Sequence, residues 1–309
     1  MKTISRWVAQ GALAATLVLT GASCVSLTGG NDQASTTGPM GIFMSADKGD
    51  TWKVTSLLPQ PNADRQLTDV GVFSLVEDPT DPKAMYWASR GKGIFYTYDD
   101  ANKWAQAAAP LNNGFVYSLT VHPKDRCTIY ATNGSQLFKS EDCTRTWAAI
   151  YQIANSGQVI RTIALDPFAP NRVYIGQDSG ELLISEDSGT SWRVMQRFGS
   201  QLQRMAFDPQ KEGLIYMATR KNGLLRSRDN GTTWDNVSDN MKEYTGALEY
   251  RRLYVYPGAP ENVYWISKYG VLVSRNAGQD WEPINLVPAP GSVSIYAFAA
   301  ASMGENFFI

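Results

Sequence analysis

The 309-residue sequence has almost no excess of charge, with 28 basic side chains against 29 acidic ones. A nucleic-acid binder that works by neutralising phosphates needs a basic stripe, and none is present. There is a single histidine and there are only three cysteines, which gives no support to a zinc site or a Ser-His-Asp triad. No glycine-rich loop follows a strand and opens a helix, so no phosphate cradle is expected. The residues therefore call for no metal or cofactor. Beyond the first twenty residues no apolar run approaches membrane length, which excludes a multi-span transporter, and no segment sustains a helical period. What is present is core material: 43% of residues are hydrophobic and 11% aromatic, with nine Trp and 26 Gly. That composition belongs to a folded chain with many tight turns and large packing residues.

The N-terminus reads as an address. Lys2 and Arg6 precede an apolar stretch from Trp7 to Thr20, followed by Gly21, Ala22, Ser23 and Cys24. Residues 1–23 have the form of an export signal. A small-residue run ending in Cys resembles a bacterial lipoprotein signal, which implies that Cys24 is acylated and anchors the protein in the cell membrane or outer membrane. The match departs from that family at Gly21, where Leu is usual; an ordinary signal peptide cut nearby and an uncleaved anchor are the alternatives. Residues 24–40, rich in Ser, Thr, Gly and Asn, read as a flexible tether.

From residue 41 onward one motif recurs six times. Its ideal form is Ser-x-Asp-x-Gly-x-Thr-Trp, as in Ser45 to Trp52 with Asp47. The other copies hold Asp99 and Trp104, Asp142 and Trp147, Asp187 and Trp192, Asp229 and Trp234, and Asn276 with Trp281. The Trp-to-Trp intervals are 52, 43, 45, 42 and 47 residues. Upstream of most copies lie an alternating strand ending in Asp-Pro, a Tyr-containing strand and a Gly-aliphatic strand; a fourth strand starts at the Trp. Four short strands per unit of about 45 residues make a propeller blade. Asp then sits in the hairpin between strands three and four, where it accepts hydrogen bonds from turn amides. Ala101 and Thr144 stand in two copies where the others have Gly.

The motif is similar to the Asp box, or BNR repeat, of sialidases, sortilin-type receptors, xyloglucanases and photosystem II assembly factors. The resemblance covers residues 41–309 and implies an all-β fold in which the Asp boxes are structural turns remote from the ligand face. Six boxes predict a six-bladed β-propeller. Ring closure is expected in one blade, with residues 41–56 as its outer strands and 294–301 and 306–309 as its inner ones, which would remove the open sheet edges. Cys127 lies just before a second strand and Cys143 just after a third, so antiparallel pairing puts both at one end and predicts a disulfide; free buried thiols are the alternative. His122 takes the place of Asp in an Asp-Pro turn.

Loops joining strands four to one and two to three share the opposite, ligand face. Counting six residues back from each strand-ending Pro places Phe73, Tyr117, Arg161, Gln203 and Arg251 at equivalent mouth positions, with Tyr296 as the sixth and Arg204 and Arg252 beside them. Arg90, Lys92, Asp178, Arg220, Lys221, Lys268 and Tyr269 belong to the two-to-three loops. The longest connection, 235–250, carries Tyr244 as a specificity residue. Guanidinium forks with aromatic rings suit a carboxylate, a sugar or an acidic peptide; the plain alternative is that these side chains solvate the channel.

These residues together suggest an exported, lipid-anchored binding or scaffold protein for a peptide, protein segment or glycan, with no catalytic residues assigned. The competing reading is a surface glycoside hydrolase. A sialidase-like assignment would draft Arg161, Arg204, Arg251, Tyr244, Glu243 and Asp64, yet the Arg-Ile-Pro signature of that family is absent. Xyloglucanases place paired carboxylates between two propellers, and this chain has room for one. Nothing in the sequence fixes the two carboxyls that glycoside hydrolysis requires.

Overall fold

A computed structural model of the chain describes residues 40–47, 50–295, 298–300 and 307–308. The signal, Cys24, most of the tether and Tyr296 lie outside the described residues. The described residues all belong to one compact unit.

The described chain is a β-propeller. Five sheets each carry four consecutive antiparallel strands. In blade 3 these are Ile160–Leu165, Val173–Gln177, Glu181–Ser185 and Arg193–Arg197. Blade 1 opens with Val72–Asp78, blade 2 with Ser118–His122, blade 4 with Leu202–Phe207 and blade 5 with Tyr250–Val255. Second strands such as Val173–Gln177 and Ile215–Thr219 are buried along their whole length, as expected for strands packed on both faces. Fourth strands are exposed and short, down to two residues in blades 1, 4 and 5.

Side chains stitch successive first strands together. The Ser118 hydroxyl accepts the Ile163 amide at 3.1 Å, and Thr162 accepts the Met205 amide at 3.0 Å. Farther out, four of the six box Trp residues pack on the cluster of the preceding blade: Trp147 beside Tyr86 and Ile94, Trp192 beside Tyr130, Trp234 beside Tyr174, and Trp281 beside Tyr216.

The boxes are structural turns, as their sequence suggests. In blade 3 the Asp187 carboxylate accepts the Ser185 hydroxyl at 2.7 Å, the Ser191 amide at 2.8 Å and the Ser191 hydroxyl at 2.6 Å. Asn276 fills the same role with its side-chain oxygen, accepting from Ser274 and from the Asp280 amide. The turn needs a left-handed residue two after the Asp. Gly189 supplies it at φ 98°, whereas Ala101 at 60° and Thr144 at 69° adopt it against steric preference. The Cys127–Cys143 disulfide is present. The His122 Nδ1 accepts the Lys124 amide at 3.2 Å, as Asp166 accepts that of Phe168 and Asp208 that of Gln210.

The expectation of six blades is corrected: the described residues form five. Among the described residues Phe43–Met44 pairs with Lys53–Val54 alone, and Ala299–Ala300 with Phe307–Phe308 alone. No ladder joins these two pairs among the described residues. The physical reason is that each chain end is held by the blade next to it in sequence. Ile42, Leu58, Leu67 and Val70 pack with Trp87 and Trp104, while Ile295 and Phe298 pack with Tyr264 of blade 5. Trp52 is 56% exposed, unlike the buried Trp104 and Trp281. Blades 1 and 5 meet near the hub, where the Arg252 Nη2 donates to the Phe73 carbonyl at 3.4 Å.

Candidate functional site

Phe73, Arg161, Gln203 and Arg251 occupy the same place in their blades, and the ladder shows why. In each first strand the register shifts at that residue, between Val72 and Ser74, Ile160 and Thr162, Leu202 and Arg204, and Tyr250 and Arg252. A bulge leaves its extra residue outside the pairing and re-aims its side chain. Tyr117 precedes Ser118, whose partner Thr132 corresponds to Gly176 opposite Thr162, so it belongs to the same set.

The structure joins some of these side chains and not others. Phe73 meets Phe115 with ring centroids 4.8 Å apart, and Phe115 meets Tyr117 at 4.5 Å. The Arg161 guanidinium lies over the Tyr117 ring, 5.4 Å from its centroid, and its Nη2 is 3.8 Å from Asp178. The result is a continuous rail from blade 1 to blade 3: three aromatic rings, a cation and a carboxylate. Gly134 makes room for it, since a Cβ there would come within 2.8 Å of the Tyr117 ring. Asp178 is held by the Val159 amide at 2.8 Å. The Arg161 Nε is buried with no hydrogen-bond partner among the described residues.

Phe115 is not among the residues that the repeat singles out. It sits in a two-residue strand, Gly114–Phe115, that pairs with Arg90 and Gly91 at the end of the long second strand of blade 1. No repeat counterpart marks it in the sequence; the only local signal is Asn112-Asn113-Gly114, a turn just ahead of an aromatic residue.

A second group gathers toward the hub. Arg252 reaches the Phe73 carbonyl, and the Arg90 Nε donates to the adjacent Val72 carbonyl at 3.4 Å. Burial pushes the Arg252 guanidinium down from its ordinary value, with the like charges of Arg204 and Arg90 acting in the same direction. Burial pushes the Tyr250 phenol up to about 12, against the opposing pull of Arg204 and Arg252. Gln203 bonds to Gln201 at 2.8 Å, and Arg251 is exposed. Tyr244 is placed differently: its hydroxyl donates to the Trp281 carbonyl at 3.1 Å and its ring packs on Tyr269 at 5.1 Å. These contacts pin the 235–250 connection to blade 5. Among the described residues no group of acidic, His and Cys side chains is arranged to hold a metal ion.

The family model described as Sortilin-Vps10, sortilin, neurotensin receptor 3, matches residues 135–244. No curated protein matches the sequence. Among solved structures, the GH74 xyloglucanase from Xanthomonas campestris is 17% identical with a TM-score of 0.58, over 70% of this chain and 38% of that one. YCF48 bound to D1 peptide is 16% identical at a TM-score of 0.54, over 79% of this chain and 76% of that one. The extracellular domain of a protein described as a hybrid two-component system from B. thetaiotaomicron is 16% identical at 0.56, over 76% of this chain and 32% of that one. The chain spans 31% to 38% of the length of the GH74 enzymes it matches. At these identities the structural likenesses show the fold alone. The matched family model, which covers less than half of the chain, and these folds support the resemblance to Asp-box, sortilin-like β-propellers.

Proposed function

We propose that the chain is an exported binding protein that holds an extended ligand, a peptide, protein segment or glycan, across the mouth of its propeller. The observation that carries this reading is the Phe73–Phe115–Tyr117–Arg161 rail. Aromatic faces supply broad apolar contact at little entropic cost, and an Arg at the end of the row adds a directional donor. An orphaned buried guanidinium donor costs about 1–3 kcal/mol, and Arg161 keeps one at a bulge position. The N-terminal segment fits the same picture: residues 1–23 as the export signal, residues 24–40 as the tether, and a lipid on Cys24 as the membrane anchor. The near-neutral charge argues against a nucleic-acid partner. The likeness to an extracellular sensor domain and to a peptide-bound propeller supports an exported binding role.

Glycoside hydrolysis needs two carboxyls about 5–9.5 Å apart. The contacts at the rail pair Asp178 with a cation instead, which favours binding over hydrolysis.

A photo-crosslinking residue introduced at Phe115 in living cells tests the reading. A discrete adduct that disappears on adding Arg161→Glu is the expected result. Adducts that are unchanged by Arg161→Glu, in a variant with the wild-type melting temperature, would overturn it.

A further inference from the structure

Beside the rail, on the same face, an open cleft of about 510 Å³ lies between blades 3 and 4. Asp178 and Ser179 line it from blade 3, Phe198 and Gln201 from the connection between the blades, and Arg220 and Lys221 from blade 4. The cleft is joined to the rail through Asp178, whose carboxylate also faces Arg161. We propose that this cleft binds an anionic sugar unit of a glycan whose neighbouring units lie along the rail, a reading that rests on the proposed binding function of the mouth face.

The cations are held there by the fold. The Arg220 amide donates to the Gln201 carbonyl at 2.9 Å, and the Lys221 amide to the Ser200 hydroxyl at 2.9 Å. These bonds tie the two-to-three loop of blade 4 against the 198–201 connection. Both side chains are exposed, and neither has a carboxylate partner among the ion pairs of the described residues. The Arg220 Nη1 meets only an amide oxygen, that of Gln201, at 3.5 Å. Adjacent positive groups fixed at a cleft wall attract an anion, and the planar guanidinium suits a carboxylate or sulfate group.

The rest of the cleft selects among anions. Asp178 spends one oxygen on the Val159 amide and keeps further acceptor capacity. With the Ser179 hydroxyl it offers a short row of hydrogen-bond acceptors on the blade 3 part of the cleft, whereas the Gln201 amide oxygen already accepts from Gln203 at 2.8 Å and Arg220 at 3.5 Å. An acidic side chain of a peptide satisfies Arg220 and Lys221 but brings few donors for that row. A sugar acid brings a carboxylate on one edge and several hydroxyl donors on the other. Phe198, set edge-to-face on Trp234 at 5.6 Å, adds an apolar wall of the kind a sugar ring packs against. A pocket of this size accommodates roughly one or two sugar rings.

The test is calorimetric titration of the full chain with three probes: tri-galacturonic acid, the neutral trisaccharide of galactose, and a penta-glutamate peptide. Tri-galacturonic acid is expected to bind at least tenfold more tightly than either of the others. Two variants address the cleft. Arg220→Glu with Lys221→Glu reverses its charge at exposed positions. Gly199→Trp fills it, and a Cβ at Gly199 meets nothing within 4 Å, so the fold has room for the change. Each is expected to weaken tri-galacturonic acid at least tenfold without moving the melting temperature. Absence of binding by the wild-type chain at millimolar probe, equal binding of the peptide, or binding that survives both variants would each overturn the proposal. Tyr117→Ala separates the two readings. If it leaves the affinity intact while the cleft variants remove it, the rail assignment fails and the cleft stands; the reverse pattern sinks the cleft and keeps the rail.

Discussion

The Tyr174 hydroxyl, on the second strand of blade 3, donates to the Asn230 carbonyl in the Asp box of blade 4 at 3.1 Å. Tyr130 makes the equivalent bond to Ser188 one blade earlier, at 3.2 Å. At the next junction the pattern breaks. There the Arg226 Nη1 donates to the Ala277 carbonyl at 3.0 Å, and the buried Tyr216 hydroxyl has no partner among the described residues.

The two tyrosines should therefore respond differently to loss of the hydroxyl. Tyr174→Phe removes a made bond and leaves a carbonyl unpaired, which costs about 1 kcal/mol. Tyr216→Phe removes an unsatisfied buried group, so stability should stay level or rise. Urea unfolding midpoints of the two variants decide between these outcomes, and equal losses would contradict the stitching.

Thr144 carries two local penalties, a left-handed backbone at φ 69° and a buried hydroxyl without a partner among the described residues. Left-handed geometry disfavours an L-residue by roughly 1–2 kcal/mol. Thr144→Gly restores the residue found at positions 189 and 231. Against this stand a lost methyl contact and the greater freedom of glycine when unfolded. The expected net gain is about 1 kcal/mol, read as a rise in melting temperature.

The Cys127–Cys143 bridge spans a sequence separation of 16. A loop of that length removes enough unfolded-chain entropy to stabilise the fold by about 3 kcal/mol. The double variant Cys127→Ser, Cys143→Ser should lose about that amount in chemical denaturation. Its stability should also stop depending on reductant, while that of the wild-type chain falls when dithiothreitol is added.

Acid should weaken the boxes. Hydrogen bonds from Thr51 lower the Asp47 carboxyl from 3.8 to about 2, and those from Ser191 do the same for Asp187. Asp142 and Asp229 are lowered by Thr146 and Thr233 in the same way. Because the folded state binds these protons less readily than the unfolded chain, the stabilisation is complete above pH of about 4 and is lost as pH falls toward about 2. Asn276 shows that an amide can hold a box, so Asp187→Asn should fold and lose stability less steeply over that window. Melting temperatures measured from pH 5 to 2 would show the flatter slope; a steeper one would refute it.

Much of this architecture was legible because it repeats locally. The box turn, the Tyr strand, the Asp-Pro turn with His122 as its variant, and the nearness of Cys127 to Cys143 each follow from residues within one blade. So did the shared position of Phe73, Tyr117, Arg161, Gln203 and Arg251, since a fixed count from the turn lands on the same register position, a bulge in every blade but that of Tyr117. The rail was harder to read. Phe115 has no counterpart in the other blades, and its place depends on pairing with Arg90 across a connection.

The sequence by itself determined the repeating unit, because strand alternation and turn chemistry act over a few residues and leave their pattern in the chain. Only the tertiary structure decided how many units complete a sheet, since that depends on which apolar neighbours capture Ile42 at one end and Phe298 at the other. It also decided that Arg161 meets Tyr117 and that Arg220 and Lys221 share a cleft with Asp178. Those meetings join residues from neighbouring blades, and no local preference encodes the distance between them.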